Sequence, residues 1–293
     1  SSRASVPRGS GQESNFIAGG SEYFVVEACE YKRSFLNIVP KIIVITNIDN
    51  DHLDYYKDIE DIQSAFREFV QKLPANGIVI CNPRDPLLHP VLDHTKAKII
   101  DYTSYPKVTL SVPGTHNILN AQAAQAVADI IGVDENKSFL ALSKFKGTWR
   151  RFEYKGHMKN GALVYDDYAH HPTEIAATIA AARESFPSKE ITVVFQPHLY
   201  SRTKLLLDDF AQALSVAEHI IVLDIYAARE LNDYSISAEH LVKKISDFNK
   251  NVLYIPVFKD IVSTLSKSKG EKDVIVTLGA GDIYKVSENL ITL

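Results

Sequence analysis

Apolar residues recur along this chain in two alternating rhythms. Short continuous apolar runs mark buried strands at "YFVVEAC" (23–29), "KIIVITN" (41–47), "GIVICN" (77–82) and "KIIDYT" (98–103). The same signal returns at "ALVYD" (162–166), "ITVVFQP" (191–197), "HIIVLDI" (219–225), "NVLYIP" (251–256) and "DVIVTLG" (273–279). Between them apolar positions fall at helical spacing. In 59–73 the repeat is Ile62, Ala65, Phe66, Phe69, Val70 and Leu73, and further helices are predicted over 116–133, 172–185, 203–216, 237–248 and 261–266. Pro172 at the first helical position and Glu174 in the first turn mark one helix start, and Gly132 ends another.

Strands separated by helices predict an α/β fold with two mostly parallel sheets and crossover helices. The boundary falls near 147–153, which gives a domain over 11–147 with an incomplete sheet and a complete smaller one over 148–293. The first ten residues, "SSRASVPRGS", read as the remnant of a protease-cleavable tag. With 32 basic and 36 acidic residues interspersed, the chain lacks the basic excess of a non-specific nucleic-acid binder. No apolar run approaches the ~20 residues of a membrane helix. Cys29 and Cys81 form neither a metal spacing nor a disulfide framework. A cytoplasmic enzyme with neither nucleic-acid nor membrane partner is the expectation.

Polar residues that could do chemistry gather after the predicted strands, the edge of an α/β sheet where ligands bind. Glu27 follows the first strand; Asn47, Asp51, His52 and Asp54 follow the second. A carboxylate and an imidazole there could hold a divalent cation on phosphate oxygens, or the aspartates could simply cap the next helix. Asn117 and Asn120 share one helix face and suit an adenine edge, although Thr115 or Asn117 could equally be a cap. "YDDYAHHPTEI" (165–175) packs three carboxylates and two histidines into a strand-to-helix loop. Arg150 and Arg151, and later Arg202 in "FQPHLYSRT", offer guanidinium groups for phosphate or carboxylate, or surface ion pairs. "TLGAGDI" (277–283) is a glycine loop after a strand without a dinucleotide fingerprint.

Taken in order, "ITNIDNDHLDYY", "GTHNILNAQAA", "KGTWRRFE", "YDDYAHHPTEI" and "FQPHLYSRT" resemble the Mur ligases from about residue 23 to the C-terminus. The resemblance implies a partial central ATPase domain, a Rossmann-like C-terminal domain, and ATP and Mg²⁺ as cofactors. Glu27 and His52 match the family's metal ligands. His116, Asn117, Asn120, Arg151 and Asp167 match nucleotide contacts. Tyr168, His170 and Arg202 match residues facing the substrate, with His170 and Arg202 as the catalytic pair. "RRFE" and "DDYAHHPTEI" favour the branch that joins L-alanine to UDP-N-acetylmuramate in peptidoglycan precursor synthesis, over the branch that attaches a recycled tripeptide. A homodimer is compatible with this reading.

The chain departs from the family pattern at "ACEYKRS" after the first strand and at Leu199, where the family often has arginine. It contains no G-x-x-x-x-G-K-[ST] loop; Gly156 and Gly161 have the spacing, but Ala162 follows. The chain by itself is therefore expected to be inactive. A non-catalytic module that binds nucleotide or a partner is the other reading.

Overall fold

A computed structural model describes residues 16–231, 233 and 235–292; the tag-like first ten residues lie outside them. The chain divides into two compact units, one of Ala18–Ser111 with Thr115–Phe145 and one of Lys146–Leu293 with Val112–Gly114.

The first unit holds β1 (Ile42–Val44), β2 (Ile78–Cys81) and β3 (Lys98–Asp101) as a parallel sheet in that order. Helix α1 (Ile59–Gln71) makes the crossover from β1 to β2. Its start is set by Asp58, whose side chain accepts the Asp61 N–H at 2.9 Å, with Glu60 and Asp61 favourably placed at the positive end of the helix dipole. Its apolar stripe buries Ile62, Ala65, Phe69 and Val70 against Ile43, Val79 and Phe35. The short α2 (His89–Leu92) packs beside it. On the other sheet face α3 (Thr115–Ile130) lays Ala123 and Ala126 against Ile80 and Tyr102. Two buried amides on α3 are satisfied by loop carbonyls, Gln125 by Pro106 at 2.9 Å and Gln122 by Tyr105. Helix α4 (Glu135–Ser143), capped by Asp134, completes the unit.

Residues 23–29 do not form the expected strand. Phe24 and Val25 are 74% and 83% exposed and the segment is extended without a ladder. A strand exists through its neighbours, and among the described residues no strand pairs with this one.

The second unit is a six-stranded sheet ordered β4 (Glu153–His157), β5 (Leu163–Asp167), β9 (Asp273–Leu278), β6 (Glu190–Phe195), β7 (His219–Val222) and β8 (Val252–Tyr254). Only the β4–β5 pair is antiparallel. Helices α5 (Pro172–Ser185), α6 (Tyr200–Leu205), α7 (Leu207–Leu214), α8 (Ala238–Ile245) and α9 (Phe258–Ser268) make the connections, and α10 (Tyr284–Thr292) follows the last strand. Ile191, Val193 and Phe195 pack with Ile175, Phe210 and Leu241 of α5, α7 and α8, whereas Val194 and Ile275 face Ile261, Leu265, Val286 and Leu290 of α9 and α10. Side chains two apart share a face, so burial on both faces requires the continuous apolar runs seen in the sequence. Among the described residues no helix is long and apolar enough to cross a membrane.

The helix predicted over 203–216 is two helices that meet at Leu206 (φ −108°, ψ 25°). Because the chain leaves β5 and β6 toward one face and β9, between them, toward the other, the sheet has a topological switch at β9, and its carboxyl edge there opens between diverging loops. Gly279 sits at this edge with φ +143°, and a Cβ on it would lie 2.7 Å from the Gln196 carbonyl oxygen. Gly279→Ala is expected to lower the urea-unfolding free energy by about 2 kcal/mol or more. Gly132→Ala, at φ +77° but in open space, is expected to cost about 1 kcal/mol; equal losses would show that close approach at Gly279 plays no part.

Candidate active site at the carboxyl edge of the second sheet

Strand β5 ends in two carboxylates with different tasks. Asp166 is fully buried and accepts from Arg150 Nε at 2.6 Å and Thr277 Oγ1 at 2.5 Å. Asp167 accepts the backbone N–H groups of Phe152 and Ala169, each at 2.7 Å. Burial pushes the Asp167 carboxyl up to about 6, against the opposing pull of the Ala169 N–H, the Arg151 charge and the Phe152 N–H. Burial also raises Asp166, and the Arg150 charge and hydrogen bond offset part of that.

Arg150 is the most buried large side chain of the site, 2% exposed. Besides Asp166 it donates to the carbonyls of Gly281 at 3.0 Å and Gly279 at 2.5 Å, and its guanidinium lies 5.2 Å and 5.1 Å from the Tyr168 and Tyr284 ring centres. One side chain thus ties the boundary turn, the end of β5 and the glycine loop after β9 together. The Tyr168 N–H closes the arrangement on the Arg150 carbonyl at 2.7 Å. The adjacent Arg151 points outward, about half exposed, and pairs with Glu174 at 3.3 Å. The sequence offered both arginines as guanidinium candidates and the resemblance gave a role to Arg151 alone; adjacent identical residues carry no signal of which one turns inward.

The two histidines of the loop separate. His171 caps α5, its Nδ1 accepting the Thr173 N–H at 3.4 Å. His170 turns to a cluster with Tyr168 (ring centres 5.2 Å) and His198 (5.6 Å). Its Nδ1 lies 3.0 Å from the Tyr168 carbonyl and 3.3 Å from Glu174 Oε2. Both partners are acceptors, so the neutral ring carries its proton on Nδ1 and its lone pair on Nε2. His198 stacks on Tyr226 (16° between planes), and its Nδ1 lies 3.5 Å from Nη1 of the buried Arg202. Leu199, where the resemblance leads one to look for arginine, is buried with φ +70°, and its carbonyl accepts from Thr203 in the first turn of α6. Tyr168 and His170, in the loop after β5, and Arg202, in α6 after β6, are therefore assembled at one edge of the sheet.

In the first unit, the imidazole of His52 meets Glu30 at 2.9 Å, with Asp51 at 3.8 Å. The hydrogen bond from His52 holds the Glu30 carboxyl below the usual carboxylate range. Tyr56 donates to the Glu30 carbonyl at 2.5 Å, and Tyr31 donates to Asp54 at 3.0 Å. Glu27 is exposed on the extended segment. No group of three or more His, Cys, Asp or Glu side chains among the described residues has metal-holding geometry. His116, Asn117 and Asn120 occupy the first turns of α3, where His116 and Asn120 are exposed.

The chain matches the Mur ligase middle domain over residues 12–106 and the Mur ligase glutamate ligase domain over residues 150–281. It is 43% identical to the UDP-N-acetylmuramate–L-alanine ligase of Caldanaerobacter subterraneus subsp. tengcongensis, over 94% of this chain and 66% of that protein. Its fold is similar to that of the UDP-N-acetylmuramate–alanine ligase MurC of Thermotoga maritima, with a TM-score of 0.69 and 26% identity over 88% of this chain and 60% of that one. A second fold likeness is to the MurF ligase of the same organism in complex with ADP, with a TM-score of 0.68 and 20% identity over 88% of this chain and 64% of that one. This chain belongs to the Mur ligase family. It spans about two thirds, 66%, of the length of the relative from Caldanaerobacter.

Two outcomes follow from the buried charges. Arg150→Met strands Asp166 and two loop carbonyls, and should cost about 3–5 kcal/mol in urea unfolding; a loss below 1 kcal/mol would deny the clamp. For Asp167, whose carboxyl burial pushes up to about 6, the folded state keeps a proton that the unfolded chain has released. Stability should therefore fall as pH rises from about 4 to about 6, by roughly 3 kcal/mol from this group. Asp167→Asn should remove that slope, and an unchanged slope would contradict it.

Proposed function

We propose that this chain is the nucleotide- and amino-acid-handling part of an ATP-dependent ligase that joins L-alanine to UDP-N-acetylmuramate. One observation carries the reading: Tyr168, His170, His198 and Arg202 converge at the carboxyl ends of β5 and β6, beside a loop clamped by Arg150. The names of its relatives agree with it.

The chemistry accounts for these residue types. A carboxylate resists attack by an amine. Its oxygen takes the γ-phosphoryl group of ATP, releasing ADP and giving an acyl phosphate. The amine of L-alanine adds to the carbonyl carbon, and the tetrahedral intermediate collapses with loss of phosphate. Arg202 offers a fixed guanidinium for a carboxylate. His170, hydrogen-bonded through Nδ1 to the Tyr168 carbonyl and beside Glu174, is assigned to take the proton that the amine must lose. Asp167 and Arg151 of the second unit are assigned to the nucleotide, and so, separately, are His116, Asn117 and Asn120 on α3 of the first.

Carboxylates gather at His52, whose imidazole has Glu30 at 2.9 Å and Asp51 at 3.8 Å, and Mg²⁺ takes one or two carboxylates beside its water and phosphate ligands. Glu27 and His52 would hold it, with Glu30 orienting the imidazole. Bound there, the ion would neutralise charge on the phosphate oxygens.

The test is phosphate release by this chain joined to the remaining third of the family's length. Release should require ATP, UDP-N-acetylmuramate and L-alanine together, and Arg202→Ala and His52→Ala should each lower it ~10²-fold. Release without L-alanine, or an unaffected Arg202→Ala, would overturn the assignment.

A further inference from the structure

Glu174 stands between two residues of this site and has no role of its own in the reading above. It lies in the first turn of α5, partly buried. Oε1 accepts from Arg151 Nη1 at 3.3 Å. Oε2 accepts the His170 backbone N–H at 3.0 Å and lies 3.3 Å from His170 Nδ1. One carboxylate is thus shared by the outward-facing guanidinium and by the imidazole four residues before it, in the loop that leads into the helix.

We propose that Glu174 is a positioning residue that couples Arg151 to His170: when an anionic phosphate engages Arg151, the carboxylate is released to His170 and makes that imidazole more basic. The inference rests on the nucleotide and substrate roles given to these two side chains under Proposed function. Burial works to raise the Glu174 carboxyl, but the charges of His170 and Arg151 and the hydrogen bonds from the His170 N–H and Arg151 outweigh it and hold it below the usual range. Among the described contacts, His170 is faced by Glu174 from α5, by the Tyr168 ring and carbonyl from its own loop, and by His198 after β6, with Arg202 beyond His198 and Arg151 over the Tyr168 ring at 5.7 Å. Arg151 and Glu174 are partly solvated, which limits the coupling to a fraction of what buried charges would show.

The experiment is an NMR titration of the His170 ring nitrogens in this chain, which needs no turnover. Glu174→Gln should move the His170 midpoint down by about one pH unit, because an anion that favours the imidazolium is gone. Glu174→Asp, which withdraws the charge by one methylene, should fall between. Arg151→Met should move the midpoint up by roughly half a unit, and by much less in the Glu174→Gln background. An unmoved midpoint in Glu174→Gln, or an Arg151→Met effect of the same size in both backgrounds, would overturn the proposal. In the joined ligase the acid limb of the pH–kcat profile should shift down in Glu174→Gln and recover partly in Glu174→Asp. A limb that stays put while the NMR midpoint moves would refute His170 as the base and leave the Glu174 coupling standing.

Discussion

The second unit is organised around a charge that has no access to water. Arg150 carries its guanidinium into the sheet edge and neutralises Asp166 there, and the same group holds the carbonyls of Gly279 and Gly281. An isolated buried carboxylate would cost several kcal/mol, so neither Arg150 nor Asp166 is tolerable without the other. The pair contributes little net stability compared with a well-packed apolar pair; it contributes geometry instead. It fixes where β5 ends, how the glycine loop turns, and which way Tyr168 leaves the strand. The backbone around it accepts conformations that non-glycine residues rarely adopt, with φ +55° at Arg150 and φ +46° at Phe152, and Phe152 is held by stacking on Tyr165 at 4.6 Å.

The first unit solves a comparable problem with neutral groups. Its loops are tied down by amides and phenols that donate to carbonyls: Gln122 and Gln125 on α3, Tyr102 to Thr46 at 2.8 Å, and Tyr56 to Glu30. His52 is the one imidazole in that set, and it faces a carboxylate. The two units thus present different chemistry at their loops, carboxylate with imidazole in the first, and arginine, histidine and tyrosine in the second.

Much of this fold was legible in the sequence, for reasons that individual elements make plain. Helix α5 runs from Pro172 to Ser185 as predicted, because Pro172 has no N–H to lose at that position and His171 caps the turn. Strand β9 is buried at all six positions, the environment its unbroken apolar run implies. Strand β4 escaped detection because "EYKGH" has no apolar alternation and lies at the antiparallel edge, with a bulge near Gly156. Helix α10 was hidden behind the glycine loop that precedes it, and the break at Leu206 falls where the apolar repeat continues without interruption. The run at 23–29 has strand propensity, yet propensity alone does not make a ladder. At the site, residue types and loop positions were readable, but direction was not. Whether Arg150 or Arg151 turns inward, and that Glu30 meets His52, depends on packing that no spacing rule encodes.

The central claim is that ATP activates a carboxylate at this edge. The most direct measurement uses UDP-N-acetylmuramate labelled with ¹⁸O in its free carboxylate, with ATP, L-alanine and the chain joined to the remainder of the family's length. An acyl phosphate transfers one carboxylate oxygen to phosphorus, so each phosphate released should carry one ¹⁸O. Unlabelled phosphate, with the label retained in the amide product or the unreacted acid, would contradict the account.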